Sequence, residues 1–182
     1  MTVADLPFGA SLRQPDQRSC GPSCLVVARM LQGSTYVAAI GPRFGDEVLS
    51  THRRVTGVRP AAGALQLPWP RALGTPPWAV AHEMERITGV RYAWRLARWR
   101  RKAAYERLLA GLETGRPVPL FVGSGMLPRH VVLALEEKRA GAVAFYNPAR
   151  GHLATVTRDA FLGSDLGLGS WDVPWFTVTP KP

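Results

Sequence analysis

Apolar residues recur at helical spacing along the first part of the chain. The stretch Cys20 to Gln32 is apolar almost all round, which is typical of a buried central helix, and Gly33 follows it as a stop signal. Thr75 is the expected N-cap of a later helix that begins with Pro76 and Pro77. That helix runs from Trp78 to Thr88, and the further predicted helices are Asp46 to Thr56 and Arg100 to Glu113.

Shorter apolar runs predict strands, most of them in the second half. The centre of an antiparallel sheet is expected at Val118 to Val122, His130 to Glu136 and Ala142 to Tyr146. The outer elements are a strand at Leu153 to Val156, a short helix at Arg158 to Leu162 and a closing strand at Trp171 to Val178. In the first half, Val90 to Leu96 alternates, with Trp94 on one face and Arg95 on the other.

Two stretches give a weaker pattern. Gly33 to Pro42 fits either a short strand or a helix. Gly57 to Pro77 is rich in Gly and Pro and predicts a long loop, which could shape substrate binding or be a variable insertion. The elements together predict one domain, 1–182, of the α+β class. A helical half, about 14–115, should pack on an antiparallel sheet half, about 116–182.

The candidate chemistry begins at Cys20, at the start of the first predicted helix. Unpaired N–H groups and the positive end of the helix dipole favour a thiolate there, and the thiolate is the nucleophilic form of cysteine. Six residues upstream, Gln14 carries an amide that could point N–H donors at a tetrahedral oxyanion beside the sulfur. This pair needs a general base.

His130 offers a base at the mouth of an apolar strand. The next predicted strand ends in the side-chain amide of Asn147, and a polar turn joins the two. If the strands pair as a hairpin, His130 and Asn147 come to the same end of the sheet. Asn147 could then hold one imidazole nitrogen while the other faces the sulfur.

These residues carry a family resemblance. Gln14, the segment Cys20-Gly21-Pro22-Ser23 at a helix start, His130 at the head of a strand and Asn147-Pro148 follow one another in this order. The chain thereby resembles the papain-like cysteine peptidases, and within them the family-39-like branch that contains the bacteriocin-leader processing peptidases. The resemblance leaves out Gln32 to Gly74.

The resemblance implies Cys20 as nucleophile, His130 as general base and acid, Asn147 as the orienting residue and Gln14 as oxyanion donor. It also implies a site in the cleft between the two halves, a peptide or protein substrate, and no metal or organic cofactor. The leader peptidases usually have Asp before the Cys and Asp before the later Pro, where this chain has Ser19 and Asn147. Asn still orients an imidazole, so catalysis is expected, whereas specificity for a double-glycine leader is not implied.

Other residues have weaker claims to a role. Cys24 is an alternative nucleophile and an alternative disulfide partner of Cys20, but its spacing within one helix is awkward for a bridge and suits a small buried residue. Among the other histidines, His52 and His82 fall on predicted helices, while His152 follows Asn147 closely enough to contact a substrate.

Charge adds one possibility. The chain has 23 Lys and Arg against 13 Asp and Glu, a formal net charge of +10, which suits an anionic partner. Two tryptophans, Trp94 and Trp99, interleave a basic cluster that consists of Arg95, Arg98, Arg100, Arg101 and Lys102. A solvated face is the simpler interpretation, so nucleic acid is not expected as a partner. The sequence shows no targeting segment and no apolar run of membrane length, which predicts a cytoplasmic location.

Three functions are compatible with these patterns. The first is a thiol hydrolase, most simply a cysteine peptidase that cleaves a peptide or amide bond through a thioester acyl-enzyme. The second is an acyltransferase or deamidase of the same fold, which would use the same four residues and a different acceptor. The third is a non-catalytic binding module that uses the Arg- and Trp-rich face. Neither the substrate nor the oligomeric state follows from the sequence.

Overall fold

The computed structural model describes residues 1–57 and 74–181. The helices there are α1 (Cys20–Met30), α2 (Ser34–Ile40), α3 (Phe44–Thr56), α4 (Pro77–Thr88), α5 (Arg101–Glu113) and α6 (Arg158–Gly163). The strands are β1 (Tyr92–Leu96), β2 (Val118–Gly123), β3 (Pro128–Glu137), β4 (Val143–Asn147), β5 (His152–Val156) and β6 (Val173–Pro180). Most of the predicted loop from Gly57 to Pro77 lies outside the described residues.

The described strands form one antiparallel sheet in the order β1-β6-β2-β3-β4-β5. Strand β1 belongs to the helix-rich part of the chain, yet it pairs along its length with β6, the last strand. The α+β class and the packing of the nucleophile helix on an antiparallel sheet are therefore as predicted. No helix in the described ranges is long and apolar enough to cross a membrane.

Both faces of the sheet are covered, because its apolar side chains alternate between two cores. Phe121, Val131 and Tyr146 point towards one side and join the core that contains α1, α3 and α4. Leu120 and Val132 point the other way and join the core beneath α5 and α6. Each fully buried aliphatic or aromatic side chain contributes about 1.5–3 kcal/mol, so the sheet is held between two helical layers.

Helix α1 occupies the centre of the first core. Every residue of the helix except Arg29 is buried, and the helix packs against α3, α4 and β3. Gly21 allows a close approach at its first turn: a Cβ atom there would lie 3.0 Å from Thr75 Cβ and 3.1 Å from Thr75 Oγ1. The segment that leads into α4 therefore rests directly on the start of the nucleophile helix.

The prediction that Thr75 caps the next helix is wrong. Helix α4 begins at Pro77, and Pro76 is its N-cap; the carbonyl of Pro76 accepts hydrogen bonds from the N–H groups of Ala79 and Val80. The Thr75 hydroxyl is buried and has no hydrogen-bond partner among the residues that the structure describes. Pro77 at the first helical position has no N–H to offer, and Pro76 shifts the cap one residue beyond the reach of the threonine side chain.

The ambiguous stretch after α1 is helical. It forms α2 and a 3₁₀ turn from Gly41 to Arg43, and none of the side chains of α2 is buried. Tyr36, Val37 and Ile40 are partly buried against the core. Polar contacts add to this packing: the Tyr36 hydroxyl donates to Glu47 Oε1 at 2.9 Å, and the Arg29 guanidinium lies 4.3 Å from the Tyr36 ring centre. A helix of seven residues is too short to show a clear hydrophobic period, which explains why the sequence pattern fits either a strand or a helix.

Candidate active site

Cys20 and His130 line the same cavity. Cys20 is the first residue of α1 and His130 lies near the start of β3, and the cavity between these elements has a volume of about 280 Å³. Its wall is mainly apolar and includes Trp94, Phe121 and Phe176. The cleft expected between the helices and the sheet is thus present, with the predicted nucleophile and base both at its surface.

His130 is hydrogen-bonded to Asn147. The His130 Nε2 and Asn147 Oδ1 atoms are 3.0 Å apart, and both residues are buried. Strand register explains the contact. Leu133 pairs with Tyr146, so one further step puts Asn147 opposite Val132. His130 lies near the start of β3 and Asn147 is the last residue of β4, so antiparallel pairing brings both to the same end of the sheet.

The tautomer of His130 follows from its neighbour. Asn147 Oδ1 also accepts a hydrogen bond of 3.1 Å from the backbone N–H of Ala149, a group that can only donate. The atom that receives it must be the amide oxygen, so Nε2 of His130 must carry a proton and donate to the same oxygen. In the neutral imidazole, Nδ1 is therefore the nitrogen with the free lone pair, which is the nitrogen that can act as a base.

Burial dominates the ionisation of both groups. It raises the pKa of the Cys20 thiol to about 11, against hydrogen bonding to the backbone at Val131 and Gly21 that lowers it. Burial also lowers the pKa of the His130 imidazole, partly offset by the hydrogen bond with Asn147. At pH 7 the resting pair is a neutral thiol and a neutral imidazole.

The expected thiolate at the start of α1 is thus not the resting form. The helix terminus favours an anion by about 0.3–1 kcal/mol, up to about 2 in partly buried sites. Full burial can shift a pKa by about 3–5 units, and each unit is about 1.4 kcal/mol. Cys20 is only 6% exposed. The free-energy cost of desolvating its thiolate is therefore larger than the stabilisation by the helix dipole.

Gln14 is anchored close to the same end of the sheet. Its backbone N–H donates to the carbonyl of Pro148 at 2.9 Å, next to Asn147. Its side-chain Nε2 donates to the carbonyl of Asp16 at 2.7 Å, and Ser19 Oγ donates to that carbonyl at 3.2 Å. One Nε2 hydrogen is thereby committed to the loop before Cys20 and a second remains, while Gln14 Oε1 is buried without a hydrogen-bond partner in the described residues.

Cys24 lies one helical turn deeper. It is fully buried, its thiol donates to the carbonyl of Val131 at 3.5 Å, and burial raises its pKa well above the usual value. Both cysteines are free. Cys24 is not among the described residues that line the cavity, so its surroundings are those of a small core residue.

The remaining histidines lie apart from this cavity. His52 is buried on α3, and His82 is exposed on α4. His152 is exposed and lines a separate hollow together with Asn147 and Arg150. Among the described residues, no group of three or more His, Cys, Asp or Glu side chains is arranged to hold a metal ion.

Thr75 is a site residue that the sequence did not reveal. It lines the cavity with Cys20 and His130, it is only 6% exposed, and its Oγ1 has no hydrogen-bond partner within 1–57 and 74–181. A buried hydroxyl without a partner costs free energy, so such groups tend to have a functional reason. The Pro76-Pro77 pair marked this point in the sequence, but only the contact with Gly21 shows that it adjoins the nucleophile.

Comparison with known proteins gives a distant structural likeness. No protein-family model matches the chain, and no curated protein matches it. Among solved structures, the chain is similar to the peptidase domain of Streptococcus ComA, described as a bi-functional ABC transporter involved in a quorum sensing pathway. The identity is 14%, the match covers 93% of this chain and 96% of that chain, and the TM-score is 0.48. This neighbour is in keeping with the resemblance stated from the sequence, but a likeness at this level carries no argument about activity.

Proposed function

We propose that the protein is a papain-like thiol hydrolase, a cysteine peptidase that cleaves a peptide or amide bond of a peptide or protein substrate. The observation that carries the proposal is the state of His130. Its Nε2–H is bound to Asn147 and its Nδ1 keeps a free lone pair, in the cavity that Cys20 also lines. A nucleophile, a base and an orienting group in this relation are what acyl transfer requires.

The neutral resting pair supports general-base attack rather than a preformed ion pair. As the Cys20 sulfur bonds to the substrate carbonyl carbon, its proton passes to Nδ1 of His130. The tetrahedral intermediate then collapses, the C–N bond breaks, and His130 returns the proton to the leaving amine. Water attacks the thioester with His130 again as base, and the Cys20 thiol is restored.

Oxyanion stabilisation falls to donors at the start of α1. The backbone N–H of Cys20 is among the first N–H groups of the helix, which have no partner within the helix. The uncommitted Nε2 hydrogen of Gln14 is the second candidate donor, and each such donor contributes about 10²–10³ in kcat. The Thr75 hydroxyl supplies a further donor to a substrate carbonyl on the α4 side of the cavity.

The cavity wall favours an apolar group on the substrate next to the scissile bond. Aromatic side chains from β1, β2 and β6 line it, with Arg129 as a charged residue at its edge. An apolar side chain that fills this space displaces poorly bound water and aligns the carbonyl above Cys20.

The first test is acyl transfer from an activated ester. p-Nitrophenyl hexanoate provides a good leaving group and an apolar acyl chain that suits the cavity. We expect a burst of one p-nitrophenolate per chain and one hexanoyl group on Cys20, located by peptide mass mapping. Cys24→Ala is the matched control and should keep the burst, whereas Cys20→Ala should lose it. A burst that persists in Cys20→Ala, or an acyl group found on Cys24, contradicts the proposal.

The acceptor decides between hydrolysis and transfer. Hydroxylamine added during turnover competes with water for the acyl-enzyme and forms a hydroxamate. A peptidase should also cleave members of a mixed peptide library in water alone, with new termini detected by mass spectrometry and abolished in Cys20→Ala. Product formation that requires an amine acceptor would favour the acyltransferase alternative instead.

A further inference from the structure

The cavity that Cys20 and His130 line is called the catalytic cavity below, after its proposed role. A second hollow, here called the basic groove, lies behind it. It has a volume of about 440 Å³ and is bounded by α5, β1 and β6. Side chains alternate along β1 and β6, so Trp94 and Phe176 face the catalytic cavity while Arg95 and Thr179 face this groove. The two hollows thus open on opposite faces of the same two strands.

Positive charge is concentrated in the groove. Its lining contains four cationic side chains, Arg95, Arg107, Arg116 and Lys181, and none of the described lining residues is acidic. The salt bridges of the described ranges involve other cations, which are Arg29, Arg54, Arg86 and Lys138. The four groove cations are therefore gathered in a concave site, and none of them forms a salt bridge with a carboxylate of the described residues.

Arg107 is the groove cation with an unsatisfied buried donor in the described ranges. Its Nε is buried and has no hydrogen-bond partner among the described residues. Burial and the positive charges of Arg95 and Arg100 lower the pKa of the Arg107 guanidinium, with a smaller opposite contribution from Glu106. A buried N–H donor on a cation that its neighbours repel is a group prepared for an anion.

The basic cluster noticed in the sequence separates into two parts. Arg98 is committed to the protein, since its guanidinium lies 4.3 Å from the Trp175 ring centre. Arg101 is committed as well, because it donates to the carbonyl of Leu162 at 2.6 Å. Arg95 instead points into the groove, where it meets Arg107, Arg116 and Lys181, which are distant in the sequence.

We propose that the basic groove binds a compact phosphate-bearing anion, such as a pyrophosphate group. Arginine forks bind phosphate oxygens in pairs, and several cations around one hollow suit a ligand with more than one negative charge. The volume lies in the range of small-ligand pockets. A single-stranded nucleic acid fits less well, because the described lining has no aromatic side chain on which bases could stack.

The direct test is calorimetric titration of the full chain with inorganic pyrophosphate, against sodium chloride at matched ionic strength. We expect saturable one-site binding of pyrophosphate and none of chloride. Arg107→Gln should weaken binding at least about tenfold, because it removes charge-assisted hydrogen bonds. Arg107→Lys, which keeps the charge and loses the fork, should fall between Arg107→Gln and the wild type.

A matched control distinguishes specific binding in the groove from non-specific attraction by the net positive charge of the protein. Arg139 is exposed in the turn between β3 and β4, and Arg139→Gln changes the net charge by the same amount. It should leave pyrophosphate binding within about twofold, because surface charges far from a site are screened. Equal losses in Arg107→Gln and Arg139→Gln would overturn the proposal, as would absence of pyrophosphate binding by the wild type.

Two further readouts complete the test. A short oligothymidylate that binds in the absence of any pyrophosphate binding would contradict a compact-anion site and assign the charge to nucleic acid. Iodoacetamide labelling of Cys20 should be the same in Arg107→Gln as in the wild type. Failure of this proposal is thereby distinguishable from failure of the proposed hydrolase, because the two depend on different variants.

Discussion

The catalytic cavity and the basic groove lie on opposite faces of strands β1 and β6, and they differ in how they treat charged side chains. In the catalytic cavity an apolar wall holds Cys20 and His130 in their neutral forms, because burial disfavours both charges. In the basic groove the four cationic side chains are gathered together, and none of the described lining residues is acidic. The first arrangement suits a reaction that moves one proton between neighbours, and the second suits a ligand that brings its own charge. Alternation along two strands is enough to build both.

The largest difference between the two hollows is expected when the proposed nucleophile is removed. Cys20→Ala should lower the rate of acyl transfer by at least about 10³-fold, since no other group can form the thioester. Cys24→Ala and Arg107→Gln should keep the rate within about threefold, because neither residue lines the cavity. The measurement is the p-nitrophenyl hexanoate burst. Equal loss in Cys20→Ala and Cys24→Ala would indicate a folding defect in α1 rather than lost chemistry.

Asn147 offers the next largest effect. Its Oδ1 accepts from both His130 and Ala149, so Asn147→Asp keeps both hydrogen bonds and raises the pKa of His130, whereas Asn147→Ala removes them. We expect Asn147→Ala to lose about 10–100-fold in acylation and Asn147→Asp to stay within about tenfold. The pH dependence of the burst rate separates them. An acylation rate in Asn147→Ala within about threefold of the wild type would mean that Asn147 has no orienting role.

Variants of Thr75 test whether its hydroxyl contacts a substrate in the catalytic cavity. Thr75→Val keeps the shape and removes the hydroxyl, so it should reduce kcat/KM for ester or peptide substrates by about tenfold if the hydroxyl donates to substrate. Thr75→Ser keeps the donor and should recover most of that loss. Thr75→Val should also be as stable as the wild type or more stable, because it removes a buried hydroxyl without a partner. Unchanged kinetics in Thr75→Val would exclude a substrate contact.

The smallest effects concern stability. The pKa of His130 is lower in the folded protein than its unfolded value near 6.5. The unfolded chain therefore binds more protons, and stability should fall as the pH drops below about 6.5. His130→Gln should reduce this loss in thermal melts between pH 7 and pH 5. An identical pH dependence in the wild type and His130→Gln would contradict a buried neutral imidazole.

Arg107→Gln should raise Tm at pH 7 by roughly 1–3 °C, because it relieves repulsion by Arg95 and Arg100.

The sequence predicts the catalytic side better than the groove, for a physical reason. Helix α1 and the strands that carry His130 and Asn147 have strong local apolar patterns, and a short turn brings the two strands together. The contact between Gly21 and Thr75 depends instead on how α4 packs on α1. Local sequence carries no signal for such a contact, which is why the sequence alone predicts a helix cap at Thr75.

The basic groove depends on pairing over an even longer range. Strand β1 meets β6 across nearly half of the chain, with Tyr92 opposite Pro180, and α5 supplies Arg107 from a third segment. The alternation of Trp94 and Arg95 was visible in the sequence, but not what each would face. The prediction of a thiolate at Cys20 fails for a similar reason. Its position at a helix start is local, whereas its burial results from the surrounding core.

The most direct test of the catalytic account is the pH dependence of iodoacetamide labelling, located by peptide mass mapping, in the wild type and His130→Ala. The account predicts that only Cys20 reacts. In the wild type the rate should level off above about pH 6.5, where neutral His130 is available as the base. In His130→Ala it should be at least about tenfold lower at pH 7 and should rise only as the thiol ionises towards its pKa of about 11. Equal pH profiles in the two proteins, or labelling of Cys24 in place of Cys20, would contradict the assignment of a Cys20–His130 pair.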